Sequence, residues 1–278
     1  MPSSSMGIVM KLSQLFTGAA LAAALFSTTA AQAQLAAPNA AGFSAGHTHL
    51  SVPDVAKHRE IWKSLGATEI TSGRLQLLAF PGIYLLLTER TPTAPSLETS
   101  ANHIGFTVKD YALYKQLLTD AGASFFIDNA ETGQILADLP DGVRVEMALD
   151  PAQTAPIVFH HTHLAAIDGA ALQAWYVQVF GAEVGERRGL PSAVIPGGRV
   201  DFLPHRGETA PLGTQGTAID HIGFEVTDMD AFAAKLEGLG IKFDRAPEYI
   251  DAIKLKIAFI TDPVGTYIEI TEGLDDVK

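Results

Sequence analysis

The chain has 278 residues, 47% hydrophobic and 18% charged, with a net charge of −12 and no cysteine. That length holds one large domain or two modest ones with sizeable cores. The acidic balance weighs against nucleic acid and anionic membrane surfaces as partners, and the missing thiols exclude disulfides and thiolate sites, leaving nitrogen and oxygen to hold any metal.

The N-terminus stands apart. Lys11 precedes an apolar run from Leu15 to Phe26 and a small-residue site, Ala31-Gln32-Ala33. This is the layout of a secretory signal peptide over residues 1–33, with Met10 as a candidate natural start. The apolar run is shorter than the roughly 20 residues that span a bilayer. The expectation is cleavage after Ala33 and a mature periplasmic or secreted protein, free of the membrane.

A fourfold repeat follows. The strings AGHTHLSVPD (45–54), NHIGFTVKD (102–110), FHHTHLAAID (159–168) and DHIGFEVTD (220–228) hold seven of the nine histidines. In each, one histidine precedes an aspartate by seven residues: His47 and Asp54, His103 and Asp110, His161 and Asp168, His221 and Asp228. Each string reads as a strand. After it comes a helical stretch with apolar residues at three- and four-residue spacing: VAKHREIWKSLGA, YALYKQLLTDAGA, GAALQAWYVQVFGA and MDAFAAKLEGLGI. The aspartate is a candidate N-cap and the glycine a candidate stop.

Two or three β-rich runs complete each unit, for example SFFIDNA, QILADLP and GVRVEMAL in the second, and IKFDRAP, KLKIAFITD and GTYIEIT in the fourth. The key histidines recur at intervals of 56, 58 and 60 residues, as repeats of one unit would. Connectors rich in proline and threonine separate the units: RTPTAPSLETS (90–100), DPAQTAPI (150–157) and PHRGETAPLGTQGT (204–217). A two-step duplication predicts an α+β chain of two domains, 44–150 and 157–274, each holding two units.

The strands HTHLSVPD, HIGFTVKD and HIGFEVTD, with the endings PDGVRVEM (140–147) and DPVGTYIEITEG (262–273), resemble the vicinal oxygen chelate superfamily. That superfamily includes glyoxalase I, bleomycin-resistance proteins, extradiol dioxygenases and epimerases. The resemblance covers about residues 44–274. It implies βαβββ modules paired into half-barrels, each around a metal held by the first and last strands of its modules. Carried onto this chain, it offers His161, His221, Glu269 and Asp201 in the C-terminal pair. In the N-terminal pair it offers His47, His103 and Glu146, with the remaining slot at Leu86. In two-domain relatives the C-terminal pair is usually the active one.

Residue chemistry agrees with a metal. Strand side chains alternate, so His161 and His163 share a face, as do His47 and His49. Two neutral imidazoles and a carboxylate suit a divalent Fe, Mn, Zn or Ni ion with positions left open for substrate. His163 and His49 read first as groups hydrogen-bonded to a ligand or to substrate, with direct ligation and plain packing as alternatives. Tyr267, two residues before Glu269, is a candidate proton donor or a packed tyrosine. Arg144 stands two before Glu146, on the same face. Arg187 and Arg188 read as a solvated rim, and His58 and His205 as solvated or structural.

The pattern departs from extradiol dioxygenases, whose acid–base tyrosine falls here at Phe259, and no histidine lies between His221 and Glu269. The expected function is an exported metal-dependent enzyme of lyase, isomerase or dioxygenase type. Its substrate would be a small oxygen-bearing molecule chelated to the metal, with Glu269 or Asp201 serving as ligand or base. The alternative is a metal-free protein that sequesters a small molecule. No oligomer is required, because four units complete two clefts within one chain.

Overall fold

The computed structural model describes residues 1, 35–207 and 209–277. The expected signal peptide therefore lies outside the described residues, apart from Met1. Among the described residues no helix is long and apolar enough to cross a membrane.

All four units fold as a strand, a helix and three strands. The first comprises β1 (Phe43–Val52), α1 (Val55–Ser64), β2 (Thr68–Ser72), β3 (Leu75–Phe80) and β4 (Ile83–Glu89). The second comprises β5 (Ala101–Val108), α2 (Tyr111–Asp120), β6 (Ser124–Asn129), β7 (Gln134–Asp138) and β8 (Arg144–Leu149). The third has β9 (Ile157–Ala166), α3 (Gly169–Phe180), β10 (Glu183–Arg187), β11 (Leu190–Ile195) and β12 (Gly198–Pro204). The fourth has β13 (Ile219–Val226), α4 (Met229–Gly238), β14 (Arg245–Ile250), β15 (Leu255–Thr261) and β16 (Tyr267–Glu272).

The repeating aspartates start the helices. Asp54, Asp110, Asp168 and Asp228 each accept a hydrogen bond from a backbone N–H three residues on, at 2.9 to 3.0 Å, satisfying a donor that the first helical turn leaves free. At the other end of α3, Gly181 takes the left-handed conformation (φ 61°) that closes the helix.

The strands form two eight-stranded mixed sheets, ordered β14-β15-β16-β13-β1-β4-β3-β2 and β10-β11-β12-β9-β5-β8-β7-β6. The first sheet thus joins the first unit to the fourth, and the second joins the second to the third. This differs from the expected grouping of consecutive units over 44–150 and 157–274. The connectors supply the reason. The one around residues 150–156 is short and keeps its two units in one sheet, with β5 antiparallel to β9. The other two connectors change sheets together. Ser100 and Leu212 donate backbone N–H groups to Leu212 and Glu98, and Thr93 and Ala218 donate to Gly216 and Ala94.

The main apolar core draws on both sheets and on the helices. Trp62 of α1 lies 6.2 Å from Phe80 and 6.3 Å from Phe106 between ring centroids, and Phe180 of α3 lies 4.5 Å from Phe224. The opposite, concave face of the first sheet carries a smaller cluster that includes Leu77, Tyr84, Ile257 and Phe259. Residues of β3 and β15, near opposite edges of that sheet, meet there, so the sheet curls over its own centre.

Candidate metal centre

Register places the chemistry. In the first sheet β1 runs antiparallel to β13 with His49 opposite His221 and His47 opposite Gly223. Parallel to β13, β16 sets Glu269 beside Gly223. In the second sheet His103 faces His163, while His161 and Glu146 flank Gly105. Each sheet therefore builds one buried histidine–carboxylate cluster: His47, His49, His221 and Glu269 in the first, His103, Glu146, His161 and His163 in the second.

In the first cluster, Nε2 of His47 and Nε2 of His221 each stand 2.9 Å from the same oxygen, Oε2 of Glu269. Asp220 takes the Nδ1–H of His221 at 2.6 Å and is itself paired with Arg90 at 3.1 Å. With its proton on Nδ1, His221 turns a lone pair toward a carboxylate oxygen. Two acceptors at that distance need a cation between them. In its absence a proton serves: burial opposes the charged imidazole, but bonds to Asp220 and Glu269 raise the His221 pKa above its ordinary value. Burial likewise opposes ionisation of Glu269, and His221 and His47 overcome it, holding the carboxyl well below the usual range.

His49 is different. Its Nε2 bonds Thr88 Oγ1 at 2.6 Å and its Nδ1 is buried without a partner. Burial, then the neighbouring His221 and His47, pull its pKa down to about 3, so the ring is neutral. Tyr267 and Phe259 stack at 4.8 Å and stand 6.0 and 5.4 Å from the His221 ring. Burial raises the pKa of the Tyr267 phenol, keeping it protonated.

These residues fit a divalent ion. Ligand atoms about 2.1 Å from an ion and at right angles are about 3 Å apart, close to the two 2.9 Å separations on Glu269. Imidazole and carboxylate are donors for Fe, Mn, Zn or Ni, and Asp220 orients its histidine as carboxylates behind metal-bound imidazoles do.

The second cluster has the same skeleton with other neighbours. Nε2 of His103 and of His161 stand 3.2 Å from Oε2 of Glu146. Asn102, not an aspartate, accepts from His103 Nδ1 at 2.8 Å. His163 Nδ1 lies 2.7 Å from His103 Nε2, and His163 Nε2 lies 3.3 Å from Asp201 Oδ2. Arg187 bonds both Glu146 Oε1, at 3.1 Å, and Asp201 Oδ2, at 3.3 Å. Asp201 further accepts from Ser192 at 2.5 Å and Arg199 at 3.0 Å. Burial lowers His103 to about 4 and takes His161 well below its ordinary value.

The expected ligand sets are redistributed. His221 and Glu269 meet His47, not His161. His161 meets His103 and Glu146, while Asp201 stands behind them against His163 and Arg187. The cause is the pairing of β1 with β13 and β5 with β9. Arg187, expected on a solvated rim, points into the second cluster, because a tight turn at Arg188 (φ 52°) and Gly189 (φ 80°) folds β10 back on β11. Arg144 pairs with Asp138 through two bonds of 2.6 and 2.9 Å. His58 is buried against Asp141, and His205 lies half-buried on the loop after β12, bonded to the Thr209 carbonyl. Leu86, beside His49 on β4, holds the place that Asp201 holds beside His163 on β12. Asp220, Asn102, Thr88 and the two glycines are contributors that the histidine pattern did not single out. The one signal was position: Asp220 and Asn102 each directly precede a key histidine.

Residues 158–270 match the family model described as the Glyoxalase/Bleomycin resistance protein/Dioxygenase superfamily. Among solved structures, glyoxalase I from Zea mays is 16% identical, with a TM-score of 0.64, covering 84% of this chain and 94% of that one. A putative dioxygenase from Bacillus subtilis subsp. subtilis str. 168 is 12% identical, with a TM-score of 0.60, covering 86% of each chain. At these identities the likeness is one of fold. No curated protein matches the sequence.

Proposed function

We propose that this chain, whose residues 158–270 match the glyoxalase/bleomycin resistance/dioxygenase superfamily and whose fold is like that of glyoxalase I, is a metal-dependent enzyme whose centre is His47, His221 and Glu269. The observation that carries the proposal is the meeting of two imidazole nitrogens on one carboxylate oxygen, at 2.9 Å each, with no guanidinium or ammonium partner for Glu269 among the described residues. A divalent ion held there would supply Lewis acidity to substrate oxygens.

This chain's own residues do the rest. His47, His221 and Glu269 bind, and Asp220 keeps the His221 lone pair on Nε2. The bare Nδ1 of His49 accepts a hydrogen bond from a substrate hydroxyl. Tyr267, protonated and beside His221, donates from its phenolic oxygen. Leu86 and Phe259 border the centre with apolar surface, which strengthens each polar contact by excluding water. The substrate class is a small molecule with two adjacent oxygens, and the reaction is a lyase, isomerase or dioxygenase step.

The test measures bound metal and metal-dependent turnover of α-hydroxy ketones, α-keto thiohemiacetals and catechols by the wild type and Glu269→Gln. Loss of both metal and turnover in the variant supports the reading. Full retention of both ends it, and a wild type that takes up no metal gives way to the sequestering alternative. Export is proposed from residues 1–33 alone; a mature N-terminus at Gln34 in periplasmic or secreted material is the expected result.

A further inference from the structure

We propose that Arg187 is the resident cation of the second cluster and keeps it closed to the metal that the first cluster takes. The inference rests on the metal reading of the first cluster, and concerns the chemistry by which two matching clusters diverge.

Three observations carry it. The first is charge. Glu146 and Asp201 are both buried, and one guanidinium bonds an oxygen of each. Such a fork neutralises carboxylates with fixed geometry. Glu269, the counterpart of Glu146, has only histidines against it, and the counterpart of Asp201 is Leu86. A divalent ion entering the second cluster would meet a guanidinium already seated between its two acids.

The second is the disposition of protons. Asn102 donates its amide to the Leu97 carbonyl, so its oxygen faces His103 and accepts the Nδ1–H. His103 Nε2 is then an acceptor, and His163 Nδ1–H fills it at 2.7 Å. A lone pair that a metal would need is already engaged. Both His103 Nε2 and its counterpart His221 Nε2 face a carboxylate oxygen, at 3.2 and 2.9 Å, but among the described residues no second imidazole donates to His221 Nε2. The third observation concerns the Asp201 oxygens. One accepts from Ser192 and Arg199, and the other from Arg187, with His163 Nε2 at 3.3 Å from it. The aspartate is a partner of arginines and is withdrawn from ligation.

The turn at Arg188 and Gly189 sets the device. Its two positive φ angles are those of a tight two-residue hairpin. Alternation along β10 then sends Arg187 to the concave face, and the curl of the sheet carries it across to Glu146 on β8.

The experiment is equilibrium dialysis against Zn2+, followed by metal analysis, on the wild type and five variants. Expected contents per chain are one ion for the wild type, one for Glu146→Gln, none for Glu269→Gln and two for Arg187→Gln. The double variant Glu269→Gln/Arg187→Gln should hold one, and Arg187→Lys, which keeps a cation, should stay at one. Two ions in the wild type, loss of its ion on Glu146→Gln, or a folded Arg187→Gln that gains none would each overturn the inference. The Glu146→Gln arm decides even if the neutral Arg187 variant fails to fold. A wild type without metal whose Arg187→Gln variant gains one would end the first-cluster reading and keep this one.

Discussion

Gly223 lies directly beneath the imidazole of His47. A Cβ at position 223 would stand 2.1 Å from both Nδ1 and Cε1 of that ring. Gly105 repeats the relationship with His161, at 2.0 Å from Cε1. The glycine in each HIGF string is therefore the floor on which the partner strand's histidine rests. Gly223→Ala should push His47 off Glu269 and abolish metal uptake. Overpacking of this kind costs about 1–3 kcal/mol, so the variant should remain folded. Circular dichroism alongside metal analysis checks it; undiminished metal content would contradict the geometry.

Asp220 fixes which nitrogen of His221 is free. In Asp220→Asn the Nδ1 bond survives but the negative charge goes. Substitutions behind metal-bound histidines typically reduce metal affinity about 10- to 100-fold, and a loss of that size is expected. In the metal-free protein the His221 imidazole should titrate at lower pH than in the wild type, read by NMR.

Tyr267 separates chemistry from binding. Removing its hydroxyl leaves the ring stacked on Phe259 and beside His221. Tyr267→Phe should keep its metal and lose about 100-fold in kcat, the scale of a general acid. A variant with unchanged kcat would make the phenol a packing group.

The second cluster should make the protein sensitive to acid. Burial holds His103 at about 4 in the folded chain, while an unfolded histidine titrates near 6.5. Between these values the unfolded state binds more protons. The stabilisation is thus complete above about pH 6.5 and is lost as pH falls toward 4. For His103 alone the difference amounts to about 3 kcal/mol. Urea unfolding of the metal-free protein should show this decline, and His103→Gln should flatten it; equal slopes would refute the assignment.

Much of this was legible in the sequence. Asp54, Asp110, Asp168 and Asp228 announced the helix starts, because an N-cap is a local bond. The strands that bring histidines and acids into the two clusters were legible too, because side-chain alternation is local. The partnering of His47 with His221 was not, since it depends on two connectors hydrogen-bonded to each other across the molecule. The seat of Arg187 escaped for a related reason. Its direction follows from a two-residue turn and from curvature that no short string encodes, although the Arg188-Gly189 pair was the available clue.

The interleaved order of the sheets has a temporal side. His47 and Glu269 are 222 residues apart, and the strand carrying the acid is the last of the sixteen among the described residues. Residues 101–204, by contrast, supply all eight strands of the second sheet without interruption. As the chain is synthesised, that inner half can close first and bring β1 and β13 within reach of each other, shortening the loop whose closure entropy must be met. The outer half, with the proposed catalytic centre, is then completed only when the final strand docks, so a chain that stops early is inert rather than half-active.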